Sequence, residues 1–301
     1  MMVDKEVLLD LEERLNPARP ENIRILGYGE ISTVFELPEY PGIAFKRIPM
    51  FKSEEQVKMY IDTYYEYINL LSEAGLKIPE SGAEYVITGD GRIVLFIMQK
   101  KLEQICHSII HRARKEEAIG IFSSILAEMK KVWDFNEEKR SEGLEIGLDG
   151  QISNWAIING DIYYFDTSTP MIRRNGADQL DTDIFLRACP PGIRILLEKV
   201  FLPGILDRYY NFRLVVLDLI ANLFKEGRKD LISDFIELAN EFFAGEGYTF
   251  EPIVMKEVEK YYREDAFIWS LYLNLRKIHR FIVTRLLFGR YEFILPGKIK
   301  R

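Results

Sequence analysis

One feature constrains the fold more than any other: near residue 100 the chain switches from short β-rich runs divided by turn residues to long helical patterns. Ile23 to Leu26 reads as a strand entering the turn Gly27-Tyr28-Gly29, and Thr33 to Leu37 as the strand leaving it. After Pro41-Gly42, Ile43 to Ile48 forms a third run. Ser53 followed by Glu54 and Glu55 signals a helix start, and the pattern runs to about Ala74, where Gly75 and Pro79 stop it. Tyr85 to Thr88 and Arg92 to Met98 flank Gly89-Asp90-Gly91, a hairpin signal. The order is β-β-β-α-β-β, preceded by a short amphipathic helix over 4–15. Beyond Gln99 helices are expected at about 103–114, 116–139, 178–188, 190–201, 205–226, 229–244 and 254–288. A tight hairpin interrupts them, with Trp155 to Ile158 and Ile162 to Phe165 joined by Asn159-Gly160-Asp161. The expectation is an α+β chain of two parts, 1–100 and a mainly helical 101–301.

Composition narrows the function classes. With 301 residues, 48% apolar and 29% charged, the chain can bury a sizeable core. A net charge of −7 argues against nucleic acid as a general partner. Two cysteines, Cys106 and Cys189, with no C-x-x-C spacing, point to a reducing compartment. The N-terminus lacks the basic flank and apolar run of a secretory signal, and apolar stretches such as 93–98 and 214–219 fall far short of the roughly 20 residues a bilayer span needs. A cytoplasmic protein without a transmembrane segment is expected.

Three groups of residues carry chemistry. Gly27, Gly29 and Ser32 fit G-x-G-x-x-[GS] between two strands, a context that disfavours a dinucleotide-binding turn and favours a flap over phosphates; taken alone, the same residues make an ordinary hairpin turn. Lys46, on the next strand, can reach phosphates if a carboxylate steadies its ammonium. Glu66 in the following helix is the favoured holder, with Glu73, Glu54 and Glu55 behind it. Asp149 and Asn154 form D-x-x-x-x-N ahead of the small hairpin, and Asp166 ends its second strand. Singly these are a cap, an Asx-turn and a cap. Converging, they would supply one carboxylate to accept a hydroxyl proton and two hard oxygen ligands for Mg²⁺.

In the order Gly27, Gly29, Ser32, Lys46, Glu66, Asp149, Asn154 and Asp166, the chain resembles the protein-kinase-like phosphotransferase superfamily over roughly residues 23–170. The resemblance implies a bilobal fold with a five-stranded N-lobe sheet plus one helix, a hinge at Gln99-Lys100-Lys101 and a helical C-lobe. It implies ATP and Mg²⁺ as cofactors, bound by the glycine flap, Lys46, Glu66 and Gln99, with Asn154 and Asp166 on the metal and Asp149 on the acceptor hydroxyl. The departures matter. Ile146-Gly147-Leu148 precedes Asp149 where protein kinases carry His-Arg, Thr167-Ser168 follows Asp166 where they carry Phe-Gly, and no Ala-Pro-Glu follows. The chain is therefore more similar to small-molecule and atypical members, such as aminoglycoside-, choline- and lipopolysaccharide-kinase-like enzymes, and the implied acceptor is a small molecule in preference to a protein. A nucleotide-binding scaffold without turnover, and nucleotidyl transfer on the same fold, stay open beside it.

Three further features have quieter readings. Cys106, His107 and His111 suggest a metal site, since positions four apart share a helical face, but no second ligand pair is evident and polar surface histidines explain them. Arg173 and Arg174 follow Asp166 and could recognise an anionic acceptor. The basic, aromatic segment 276–301 reads as an amphipathic helix on the C-lobe with solvated flanks, with contact to an anionic membrane or RNA as the alternative.

Overall fold

The computed structural model describes residues 3–18, 20, 23–29, 32–187, 189–190, 194 and 202–295. The chain is α+β. Strands β1 (Arg24–Tyr28), β2 (Thr33–Glu36), β3 (Ile43–Phe51), β4 (Ser81–Ile87) and β5 (Ile93–Lys100) form an antiparallel sheet in the order β1-β2-β3-β5-β4. Helices α1 (Lys5–Arg14) and α2 (Glu54–Glu73) cover its two faces. That double cover explains why β5 is apolar without alternation from Ile93 to Met98. Val94, Phe96 and Met98 pack with Leu8 of α1, Phe35 and Phe45, while Ile93, Leu95 and Ile97 pack with Val57, Tyr60 and Tyr64 of α2.

Helix α2 starts and stops where the sequence signals it. Ser53 Oγ accepts the Gln56 N–H at 3.2 Å. At the other end Gly75 adopts φ +92°, and the Leu76 N–H reaches back to the Leu71 carbonyl at 3.0 Å. The buried positions Tyr60, Tyr64, Tyr67 and Leu71 recur at helical spacing, so this stripe faces inward.

The second part is mainly helical: α3 (Cys106–Ile110), α4 (Lys115–Lys139), α5 (Asp183–Leu186), α6 (Leu202–Tyr209), α7 (Phe212–Ala221), α8 (Ile232–Gly245) and α9 (Met255–Phe281). Ile121, Phe122, Ile125, Met129 and Val132 of α4 form its apolar centre with α7 and α8, and the Phe122 and Phe235 rings stack at 4.0 Å. The helix expected over 205–226 is broken at Tyr210-Asn211, because Asn211 caps a new helix by accepting the Leu214 N–H at 3.1 Å. Little of the helix expected over 178–188 forms. A small sheet of β6 (Leu144–Ile146), β9 (Ile172–Arg174) and β10 (Ala177–Asp178) takes up its start, leaving only the short α5. Most of the helix expected over 190–201 lies outside the described residues. No helix among the described residues is long and apolar enough to cross a membrane.

The basic C-terminal segment departs from the expected amphipathic helix. Helix α9 ends at Phe281, a π-helical turn spans Ile282–Leu286, and Leu286, Leu287 and Phe288 stand exposed. The chain then returns to the sheet, where Tyr291 and Phe293 join Ile48, Phe51 and Tyr60. A buried ion cluster fixes this return. Arg47 of β3 donates to Glu12 of α1 through Nε at 2.6 Å and Nη2 at 2.7 Å, and to the Glu292 carbonyl through Nη1 at 2.6 Å. Arg92 adds a contact to Glu12 at 2.5 Å. Glu12 is wholly buried and Arg47 is 2% exposed. Removing one partner of such a pair strands the other charge. Glu12→Ala is expected to cost about 3–5 kcal/mol in urea unfolding; a loss under about 1 kcal/mol would show that Glu292 alone satisfies Arg47.

Candidate active site

The small hairpin fixes two of the three acidic or amide groups. Strands β7 (Trp155–Ile158) and β8 (Asp161–Tyr164) are closed by Asn159-Gly160, both at positive φ, which the two-residue turn requires. Trp155 pairs with Tyr164, and the Phe165 N–H donates to the Asn154 carbonyl at 3.0 Å. This register brings Asn154 and Asp166 out together at the open end of the hairpin.

The segment leading to Asn154 is held by hydrogen bonds along its length. The Gly147 N–H bonds the Met171 carbonyl at 2.9 Å, and the Leu148 N–H bonds the Tyr209 carbonyl at 2.9 Å. Tyr67 of α2 donates to the Gly147 carbonyl at 2.8 Å, and Trp155 Nε1 to the Gly150 carbonyl at 3.2 Å. Asn154 Nδ2 donates to the Asp149 carbonyl at 3.1 Å, and Asp149 Oδ1 accepts the Gln151 N–H at 3.2 Å. Close approach also demands Gly150, where a Cβ would lie 2.5 Å from Val215 Cγ1 and 2.7 Å from Met129 Cε. Beneath the segment, Asp218 hydrogen-bonds Gln151; burial lifts its carboxyl to about 6, against the pull of Lys225.

Lys46 arrives from the sheet. It sits on β3 between Val34 of β2 and Ile97 of β5, and its Nζ lies 2.8 Å from Asp166 Oδ1 while also donating to Ser168 Oγ. Ser168 Oγ in turn lies 3.2 Å from the same Asp166 oxygen. Burial opposes the charge on Asp166, but the Lys46 ammonium and the hydrogen bonds from Lys46 and Ser168 outweigh it and hold the carboxyl below its ordinary range. The surrounding segment is tied twice more: Tyr60 donates to the Ser168 carbonyl at 2.6 Å, and Gln99 Nε2 to the Phe165 carbonyl at 3.0 Å. The buried phenols of Tyr67 and Tyr164 are pushed up first by burial and then, after neighbouring tyrosines, by the charges of both Asp166 and Asp149. Lys46, Asp149, Asn154 and Asp166 therefore surround one region.

Other expected positions are placed differently. Glu66 does not steady Lys46: it lies on the flank of α2, half exposed, and pairs with Arg174. The inward stripe of α2 is tyrosine, and the second oxygen on Lys46 comes from Ser168. Glu54 is engaged by Tyr85 and Lys58, and Glu55 and Glu73 are exposed. Gln99, expected among the nucleotide contacts, spends its amide N–H on the Phe165 carbonyl. Arg173 is bound by Asp178 and Asp207 and lies 3.9 Å over the Tyr210 ring, and Arg174 holds Glu66, so neither arginine projects as a spare anion ligand. At the flap, Tyr28 pairs with Thr33, the Gly29 N–H bonds the Ser32 carbonyl at 3.1 Å, and Ser32 is buried. A Cβ on Gly29 would meet Ser32 Oγ at 2.9 Å, whereas Gly27 faces open space; Glu30 and Ile31 lie outside the described residues. Ser168, Tyr60 and Tyr67 were not anticipated as site residues. The i, i+4, i+7 spacing of Tyr60, Tyr64 and Tyr67 is the one signal that could have revealed the inward face of α2.

The chain belongs to the family described as "Family of unknown function (DUF6206)", which matches residues 9–280. That span contains every residue of the site. No curated protein matches the chain.

Because the folded value of the Asp166 carboxyl is depressed, its contribution to stability is present above the unfolded value of about 3.9 and is lost as pH falls through the folded one. Lys46→Met removes the counter-charge and leaves the burial. Carboxyl NMR titration is expected to place Asp166 below the usual range in the wild type and well higher in Lys46→Met. The stability lost in the variant should be largest near neutrality and shrink toward pH 3; a loss independent of pH would mean the pair contributes no linkage.

Proposed function

We propose that the chain is a kinase-like phosphotransferase that uses ATP and Mg²⁺ to phosphorylate a hydroxyl of a small-molecule or atypical acceptor. The observation that carries this reading is the 2.8 Å contact between Lys46 Nζ and Asp166 Oδ1, with Asn154 at the same hairpin end and Asp149 on the adjoining segment. A phosphate-binding cation and a metal-binding anion are thereby assembled from distant parts of the chain. In the β1–β2 turn Gly27 faces open space, so a phosphate could approach its backbone closely, although the Gly29 N–H is already bonded to the Ser32 carbonyl and Ser32 is buried.

The donor set suits Mg²⁺. Asp166 offers a carboxylate and Asn154 an amide oxygen, both hard ligands. Asn154 spends Nδ2 on the Asp149 carbonyl, which fixes the amide so that Oδ1 faces elsewhere, with Ser153 Oγ 3.4 Å away. Bound there, Mg²⁺ would neutralise charge on the phosphates. Lys46 would bind the non-reacting phosphates, and Asp149, oriented by the Gln151 N–H, would align the acceptor hydroxyl and accept its proton. The acceptor oxygen forms a bond to the γ-phosphorus as the bond to the bridging oxygen of ADP breaks. Positioning and charge neutralisation supply most of the rate in such transfers.

A second reading, nucleotide binding without turnover, draws on one observation: Lys46 is held by Asp166 and Ser168 and not by a carboxylate of α2. The two readings separate in one experiment. The full chain is incubated with ATP, Mg²⁺ and a panel of hydroxylated acceptors, with product mass distinguishing phosphoryl from nucleotidyl transfer. Phosphoryl transfer is expected in the wild type, falling by roughly 10²-fold or more in Asp166→Ala and in Asp149→Asn. Nucleotide–Mg²⁺ binding should weaken in Asp166→Ala and persist in Asp149→Asn. Undiminished turnover in Asp166→Ala would remove that residue from the metal site, and binding without transfer to any acceptor would favour the scaffold.

A further inference from the structure

Away from this site, two histidines and a carboxylate from distant parts of the chain meet at one point. His107 lies in α3 and His111 caps its C-terminal end, so the two rings share one side of the turn, 5.8 Å apart. Glu226 approaches from the turn after α7, its N–H bonded to the Asn222 carbonyl at 3.0 Å. One Glu226 oxygen is 2.8 Å from His111 Nε2 and 3.9 Å from His107 Nδ1, and the three ligand atoms lie within 4.8 Å of one another. The Arg228 guanidinium ties the two segments together independently of these three side chains. Arg228, two residues past Glu226, donates to the Ala113 carbonyl at 3.1 Å and to the Ile110 carbonyl, and its own N–H returns to Leu223 at 2.9 Å.

We propose that His107, His111 and Glu226 bind a divalent transition-metal ion, Zn²⁺ being the best suited. Metal–nitrogen and metal–oxygen bonds of about 2.0–2.2 Å at a tetrahedral angle separate donor atoms by about 3.3 Å. The observed 2.8 and 3.9 Å straddle that value and the third separation is no more than 4.8 Å, so side-chain rotations are needed to draw the three donors onto one ion. A plain ion pair accounts for less of the geometry. Glu226 can hydrogen-bond His111, but 3.9 Å is too long for a hydrogen bond to His107, which nevertheless directs a ring nitrogen at the same carboxylate. Two imidazoles with one carboxylate select a borderline ion over Mg²⁺ or Ca²⁺, so this site and the proposed nucleotide–Mg²⁺ site would not compete for one metal. Both histidines are partly exposed, which leaves the remaining coordination position to water.

The ion would brace the base of the candidate active site. Residues just before α3 join the hairpin that carries Asn154: the Ile157 N–H bonds the Gln104 carbonyl at 2.9 Å, and Ile105 bridges to Ala156. Pinning α3 to the 222–228 turn therefore stiffens the support of β7.

The test uses the full chain, stripped with a chelator and titrated with Zn²⁺ against a chromophoric competitor. One Zn²⁺ per chain is expected, unaffected by millimolar Mg²⁺, with a rise in Tm on loading. His111→Ala and Glu226→Gln should each weaken binding at least 10-fold and abolish the Tm rise, while Cys106→Ser, a neighbour outside the set, should change neither. The His111 side chain is exposed and the Glu226 side chain is largely buried, so circular dichroism and the Tm of the metal-free variants check that both fold. Sub-stoichiometric uptake by the wild type, or uptake that survives both substitutions, overturns the site.

Discussion

The contact between Lys46 and Asp166 joins the sheet to the helical part at the one place where the candidate chemistry sits. With side-chain exposures of 19% and 33%, the pair is neither a solvated surface bridge nor a fully dehydrated one. Its Coulomb energy alone would not hold two parts of a chain together. What makes it a fixed feature is the set of neutral hydrogen bonds around it. Tyr60 and Gln99 grip the backbone on either side of Asp166, and Tyr67 grips the preceding segment at Gly147. The backbone around Asp166 is thus placed by donors that do not themselves titrate near neutrality, while the carboxylate itself is held by Lys46 and Ser168.

Helix α2 shows how a sequence can identify the right element and the wrong face. The start at Ser53 and the stop at Gly75 were legible because capping and positive φ depend on single residue types. The residue meant to steady Lys46 was not. Glu66 precedes Tyr67 by one position, which rotates it about 100° around the helix, away from the inward stripe. A carboxylate in the expected window is an appealing partner for a lysine, but the period of the apolar positions outranks residue type in deciding which side chains point inward. The consequence is a lysine whose oxygen partners both come from the segment at the end of β8, at Asp166 and Ser168.

The same contrast runs through the rest of the chain. The Asn159-Gly160 turn, the strand carrying Lys46 and the convergence of Asn154 with Asp166 follow from local signals, since a two-residue hairpin fixes its own register. The three-residue strands β6 and β9 gave no pattern long enough to read, and β10 takes only the first residue of the helix expected over 178–188. Glu12, Arg47 and Arg92 were invisible as a cluster because charged residues in a sequence read as solvated until a distant partner is known. His107 and His111 were legible as a pair; Glu226, more than a hundred positions away, was not.

Residues 46 and 47 are neighbours on β3 and point to opposite sides of the sheet, one toward Asp166 and the other toward Glu12 and the Glu292 carbonyl. A strand is stiff along its length, so a rotation of this stretch about its axis moves the tips of the two side chains in opposite directions. Lys46 is in effect one arm of a short lever whose far arm is gripped by the first helix and by the stretch around Glu292. Shifts in how that distal stretch seats would reach the ammonium group through a single peptide unit, without crossing the interior of the protein.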